Sequence, residues 1–133
     1  MSPKILLVDD HEIVRKGVRQ ILESRWVICG EAENGEEAVA KTVELRPDLV
    51  LMDISMPGVN GIEATRQIRM LGIPTKIVIF SMHDSVQIAL QAKAAGADGC
   101  LVKSTPVDEL LKSIATILDK WSYPTNQDLP GFS

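Results

Sequence analysis

Five short runs of Val, Ile and Leu, separated by longer amphipathic stretches, restrict the possible folds of this chain more than any other feature. The runs are Ile5–Val8, Val27–Cys29, Leu49–Met52, Ile77–Phe80 and Cys100–Val102. Each is continuous rather than alternating, as a strand covered on both faces should be. Parallel strands need a long crossover between them, and a helix is the usual one. The expected fold class is therefore α/β. It is a (βα)5 doubly wound parallel five-stranded sheet, resembling the flavodoxin-like folds, whose strand order is 2-1-3-4-5.

The intervening stretches carry helix signals. Ile13, Val14, Gly17, Val18, Ile21 and Leu22 fall on one face at the helical period, although Gly17 costs about 1 kcal/mol against Ala. Asn34 with Glu37, and Asn60 with Glu63, have the spacing of a capping box. The second pair precedes a stripe of Ile62, Thr65, Ile68 and Leu71. Ser85–Ala95 is Ala-rich and weakly amphipathic, with Gly96 as its expected stop. Thr105 is the expected N-cap of the last helix and Pro106 its first position. The stripe Val107, Leu110, Leu111, Ile114, Ile117 and Leu118 follows. After about Asp119 the period lapses into "KWSYPTNQDLPGFS". With 133 residues there is room for one core. Residues 1–120 are expected to form that domain. Residues 121–133 are expected as a tail or the start of a linker, with Trp121 and Tyr123 placed to dock partly on the body.

A net charge of -4 argues against this chain alone gripping DNA by its own field. No run approaches the roughly 18 apolar residues that a membrane helix needs, so no membrane association is expected. "MSPKILLVDD" has no signal-peptide hydrophobic region, and a cytoplasmic location is the default. Cys29 and Cys100 stand inside apolar segments, at no ligand-like spacing from His11 or His83. They are expected as buried, reduced thiols.

In an open parallel sheet, ligands bind beyond the carboxyl ends of the strands. The residues expected there are Asp9 and Asp10 after the first strand, Asp53 after the third, Ser81 after the fourth and Lys103 after the fifth. Adjacent carboxylates are tolerable when a hard divalent cation sits among them, and Mg²⁺ takes oxygen ligands while keeping waters. An Asp carboxylate can also attack phosphorus and form an acyl phosphate. A hydroxyl and an ammonium suit the oxygens of a tetrahedral anion. The set therefore points to Mg²⁺ and a covalent phosphoryl group.

The motifs "LLVDDHEIVRKGV", "PDLVLMDISMPGVNGIEATRQIR", "KIVIFSMHD" and "AGADGCLVKSTPVDEL" resemble those of receiver domains of two-component response regulators, over about residues 3–118. "MDISMPGVNGIE" and "GADGCLVKS" look most like the NarL/LuxR-type subfamily, whose members usually append a helix-turn-helix DNA-binding domain. The resemblance implies that Asp53 is the phosphoacceptor. It implies that Asp10, Asp53 and the Ser55 backbone carbonyl ligate Mg²⁺, with Asp9 positioning the ion through water. Lys103 would pair with one phosphoryl oxygen, Ser81 would bond another, and Met56-Pro57-Gly58 would shape the loop after Asp53. Cys100 departs from the pattern, because the family often has Tyr or Phe three residues before the Lys. Ser104 stands where Pro often follows that Lys.

The implied function is a phospho-accepting switch with slow self-catalysed phosphorylation and dephosphorylation, not a metabolic enzyme. A sensor histidine kinase is the implied phosphodonor, and a homodimer on phosphorylation is an implied state. Control of transcription through an output domain absent from this chain is the first expectation. A stand-alone receiver acting by protein–protein interaction is the alternative. A flavin-binding flavodoxin would want a Ser/Thr/Gly-rich phosphate loop where "DDHEI" stands. An aspartyl-phosphate hydrolase of the haloacid dehalogenase type would want a D-x-D pattern on the first strand.

Overall fold

The computed structural model describes residues 2–56 and 58–119. Pro57 and the expected tail at 121–133, with Trp121 and Tyr123, lie outside the described residues. Elements alternate along the chain as β1 (Lys4–Val8), α1 (Glu12–Leu22), β2 (Val27–Ala32), α2 (Gly35–Leu45), β3 (Leu49–Asp53), α3 (Gly61–Met70), β4 (Lys76–Ser81), α4 (Val86–Ala95), β5 (Gly99–Val102) and α5 (Val107–Asp119). The strands form one parallel sheet in the order β2-β1-β3-β4-β5. This is the expected doubly wound fold.

The sheet separates two cores, because side chains along a strand alternate between its faces. Leu6, Val8, Val50, Met52, Ile77 and Ile79 pack with Ala38, Ala64, Ile68 and Ala92 under α2, α3 and α4. Ile5, Leu7, Leu49, Leu51, Val78 and Phe80 pack with Leu22, Leu110, Ile114 and Ile117 under α1 and α5. Burying a side chain of this size contributes about 1.5–3 kcal/mol. Truncating Ile114, which has no exposed surface, to Ala would cost about 2–5 kcal/mol.

Helix signals are realised through specific bonds. The Asn34 side chain accepts from Glu37 N at 2.8 Å, and the Asn60 side chain accepts from Glu63 N at 2.9 Å. Ser85 caps α4 in the same way, and Gly96 ends that helix at φ 103°, a left-handed conformation natural to glycine. At α5 the first helical bond runs from Leu110 N to Pro106 O, so the helix begins one residue later than Thr105 implies. Leu71 falls at the C-cap of α3 and is 56% exposed instead of completing the apolar stripe.

Two differences bear on function. β2 runs past Cys29 to Ala32, through a register shift between Ile5/Ile28 and Leu6/Gly30, which sets Glu31 opposite Leu7. The expected face of α1 is also rotated. Ile13 is 86% exposed and Val14 is exposed, whereas Arg15 and Leu22 are buried. Positions 15, 18 and 22 fit the helical period as well as the apolar ones do. The long stem of Arg can lie against apolar surface, so hydropathy alone chose the wrong rotation.

Candidate functional site

The sheet delivers its polar residues to one rim. Asp9 directly follows β1, and its N–H donates to Ala32 O at 3.0 Å. Asp53 is the last residue of β3, paired in register with Phe80. Ser81 closes β4, and Lys103 follows β5, where its N–H donates to Ser81 O at 2.7 Å. Gly61 brings the start of α3 hard against Asp53. A Cβ there would stand 2.1 Å from the Asp53 carbonyl oxygen, so any side chain would force the helix away from the site.

Asp9, Asp53 and Ser81 are buried, at 6%, 4% and 4% exposure. Lys103 Nζ donates to Asp9 Oδ2 at 2.8 Å and lies 3.3 Å from Asp53 Oδ1. It also sits 6.0 Å from the centroid of the Phe80 ring, at the outer limit of a cation–π contact. Burial pushes the Asp53 carboxyl above the usual carboxylate range. The charge of Lys103 opposes that rise, and those of Asp9 and Asp10 add to it. Burial alone would lower the Lys103 ammonium, but its bond to Asp9 and the charges of Asp53 and Asp9 raise it. Lys103 is thus held cationic between the carboxylates.

Donor atoms of Asp9, Asp10, His11 and Asp53 lie within 4.8 Å of one another, the spacing that a metal ion would need. Asp10 Oδ1 is buried and, among the described residues, has no hydrogen-bond partner. His11 Nδ1 lies 3.0 Å from it, without the alignment of a hydrogen bond. Leaving a buried acceptor unmatched costs about 1–3 kcal/mol, and a hard cation among these oxygens would remove that cost. The residues present therefore fit Mg²⁺. Ser55 lies in the exposed loop after Asp53.

Ser81 Oγ accepts from His83 N at 3.1 Å, which leaves its own hydrogen free to donate. Cys100 lies in β5 opposite Ile79 and is half-buried rather than buried, like Cys29 in β2. Burial pushes both thiols up, which keeps them protonated. Sequence reasoning missed His11, which shares an edge of the acidic cluster at 66% side-chain exposure. Its position directly after the Asp pair was the available signal.

The response regulator receiver domain family model matches residues 5–115. The chain belongs to this family. The receiver domain is 38% identical over 112 residues to the nitrate/nitrite response regulator protein NarL of Escherichia coli strain K12, covering 83% of this chain and 52% of that protein. It is 40% identical over 121 residues to the response regulator UvrY of the same strain, covering 90% of this chain and 56% of UvrY. The chain thus spans about half the length of the curated relatives it matches. Among solved structures, a LuxR-family two-component response regulator from Aurantimonas sp. SI85-9A1 superposes with a TM-score of 0.86 at 43% identity, covering 90% of this chain and 86% of that one. The response regulator domain of Thermotoga maritima CheB gives 0.82 at 31% identity, covering 90% and 98%. These relatives support a receiver of the NarL/LuxR type.

Proposed function

We propose that this receiver domain accepts a phosphoryl group on Asp53 from a phosphohistidine of a sensor histidine kinase. The observation that carries the proposal is the contact of Lys103 with both Asp9 and Asp53 at the mouth of a buried carboxylate cluster. An oxygen of Asp53 attacks phosphorus in line as the P–N bond breaks, and that electron pair leaves with the imidazole. Lys103 meets charge developing on a phosphoryl oxygen without having to be recruited from solvent. Asp9, Asp10, Asp53 and the Ser55 carbonyl would hold Mg²⁺, directly or through water. When bound, the ion supplies positive charge to the phosphoryl oxygens and offsets repulsion among the carboxylates.

The product adds about -1.5 to -2 charge to the pocket. That charge draws Ser81 and Lys103 inward and biases the surface of α4, β5 and α5 towards a second arrangement. The same site carries slow self-catalysed phosphorylation and dephosphorylation. Output is control of transcription through a domain outside this sequence; relatives about twice the matched length have room for one. Incubation with a small-molecule phosphodonor and Mg²⁺ should add one base-labile phosphoryl group. Asp53→Asn, or removal of the divalent cation, should abolish the gain in mass, and labelling of that variant at the parent rate would refute the assignment.

A further inference from the structure

Arg15 is buried, its side chain 10% exposed like that of Lys103, and nothing in the phosphoryl chemistry above employs it. It stands in the first turns of α1 and grips the loop between β1 and α1 twice. Its backbone N–H donates to His11 O at 2.9 Å, and its guanidinium Nη1 donates to the Asp9 carbonyl oxygen at 2.6 Å. Nε of the same group donates to Glu31 Oε1 at 2.5 Å. Glu31 is held in turn by Arg19, and it reaches this position because β2 continues past Cys29. One planar fork thus ties the end of β2 to the Asp9–Asp10 peptide.

The Asp9 carbonyl and the Asp10 N–H belong to the same rigid peptide unit. At its other end the Asp9 residue is fixed by its own N–H on Ala32 O at 3.0 Å. With both sides of Asp9 pinned, the peptide plane, and with it the direction in which the Asp10 side chain departs, has little freedom. That side chain carries the buried, unmatched Oδ1. We propose that Arg15 is a positioning residue for the acidic cluster: its fork between Glu31 and the Asp9 carbonyl orients the Asp9–Asp10 peptide so that the carboxylates are preset for a divalent cation.

This inference rests on the reading of the cluster as a Mg²⁺ site. Groups that orient metal ligands from behind typically contribute about 10–100-fold to metal affinity. A residue that only stapled α1 to β2 would affect melting and leave the affinity of the folded protein unchanged.

The test is a calorimetric Mg²⁺ titration of the unphosphorylated protein, with amide spectra recorded to confirm that each variant is folded. Arg15→Lys keeps the charge but cannot serve Asp9 and Glu31 as a fork. Arg15→Met combined with Glu31→Gln removes the fork without leaving a bare carboxylate behind. Both should bind Mg²⁺ about 10–100-fold more weakly than the parent, with amide shifts concentrated at Asp10 and His11. Parent-like affinity in either folded variant would overturn the proposal. A parent protein that takes up no Mg²⁺ would overturn the metal reading itself, and this inference with it, and is distinguished by appearing before any substitution.

Discussion

Lys103 Nζ donates to Asp9 Oδ2 at 2.8 Å and stands farther, at 3.3 Å, from Asp53 Oδ1. The ammonium is therefore shared unequally, with its hydrogen bond on the residue that is not the proposed phosphoacceptor. Asp9 keeps Lys103 desolvated and close, and Asp53 keeps an oxygen from being fully committed to it. A phosphoryl group arriving on Asp53 would compete with Asp9 for the same ammonium, which couples β1, β3 and β5 at one point.

Asp53 should destabilise the metal-free protein at neutral pH. Its folded pKa is raised, first by burial and then by Asp9 and Asp10 against the pull of Lys103. A carboxyl raised in the folded state contributes stability below its ordinary range, and that contribution is lost as pH rises through the raised value. Metal-free Asp53→Asn should melt several degrees higher than the parent at neutral pH, with the two curves converging in acid. A variant that melts lower at neutral pH would contradict this.

Asp10 should behave similarly for a different reason. Its buried Oδ1 accepts no hydrogen bond among the described residues, with only the exposed His11 ring 3.0 Å away, at a cost of about 1–3 kcal/mol. Thermal denaturation should show metal-free Asp10→Asn melting no lower than the parent. Added Mg²⁺ should raise the melting temperature of the parent far more than that of the variant, because a ligand stabilises only the state that binds it. A clear loss of stability in the metal-free variant would show that the carboxylate is satisfied after all.

Ser81, and not Cys100, should carry the response to phosphorylation. The Ser81 hydroxyl is buried and tied to His83 N, at the entry to α4. Cys100 is a small half-buried thiol that cannot fill space vacated by a moving hydroxyl. Amide shifts between free and beryllofluoride-activated protein should be largest around residues 81–103. Cys100→Ala should keep most of them, and Ser81→Ala should lose most of them. The opposite pattern would place the coupling in the thiol.

Ile13 should contribute to recognition by the kinase. It projects from α1 at 86% exposure beside exposed Val14, close in sequence to Asp9 and Asp10. Ile13→Ser should slow phosphotransfer from the cognate kinase by roughly tenfold, the equivalent of losing about 1.4 kcal/mol of docking. Labelling by a small phosphodonor and the melting temperature should stay unchanged. Equal loss with both donors would move the effect from docking to the site.

The succession of strands and helices, the caps at Asn34 and Asn60, and the strand-end positions of Asp9, Asp10, Asp53, Ser81 and Lys103 were determined by the sequence itself. Each of these follows from local chemistry. An uninterrupted apolar run must be covered on both faces, and a polar residue ending such a run must emerge at the rim. What lay beyond local chemistry was decided by packing across the sheet. Whether α1 buries Ile13 or Arg15 depends on how the helix is rotated against β1 and β2, and both choices satisfy the same 3.6-residue period. The extension of β2 to Ala32 depends on a register shift against β1, which brings Glu31 under α1 and gives Arg15 its partner. The division of Lys103 between Asp9 and Asp53 is likewise set by the stagger of three strands. Periodicity records which residues share a face, whereas distances between faces exist only once the layers have met.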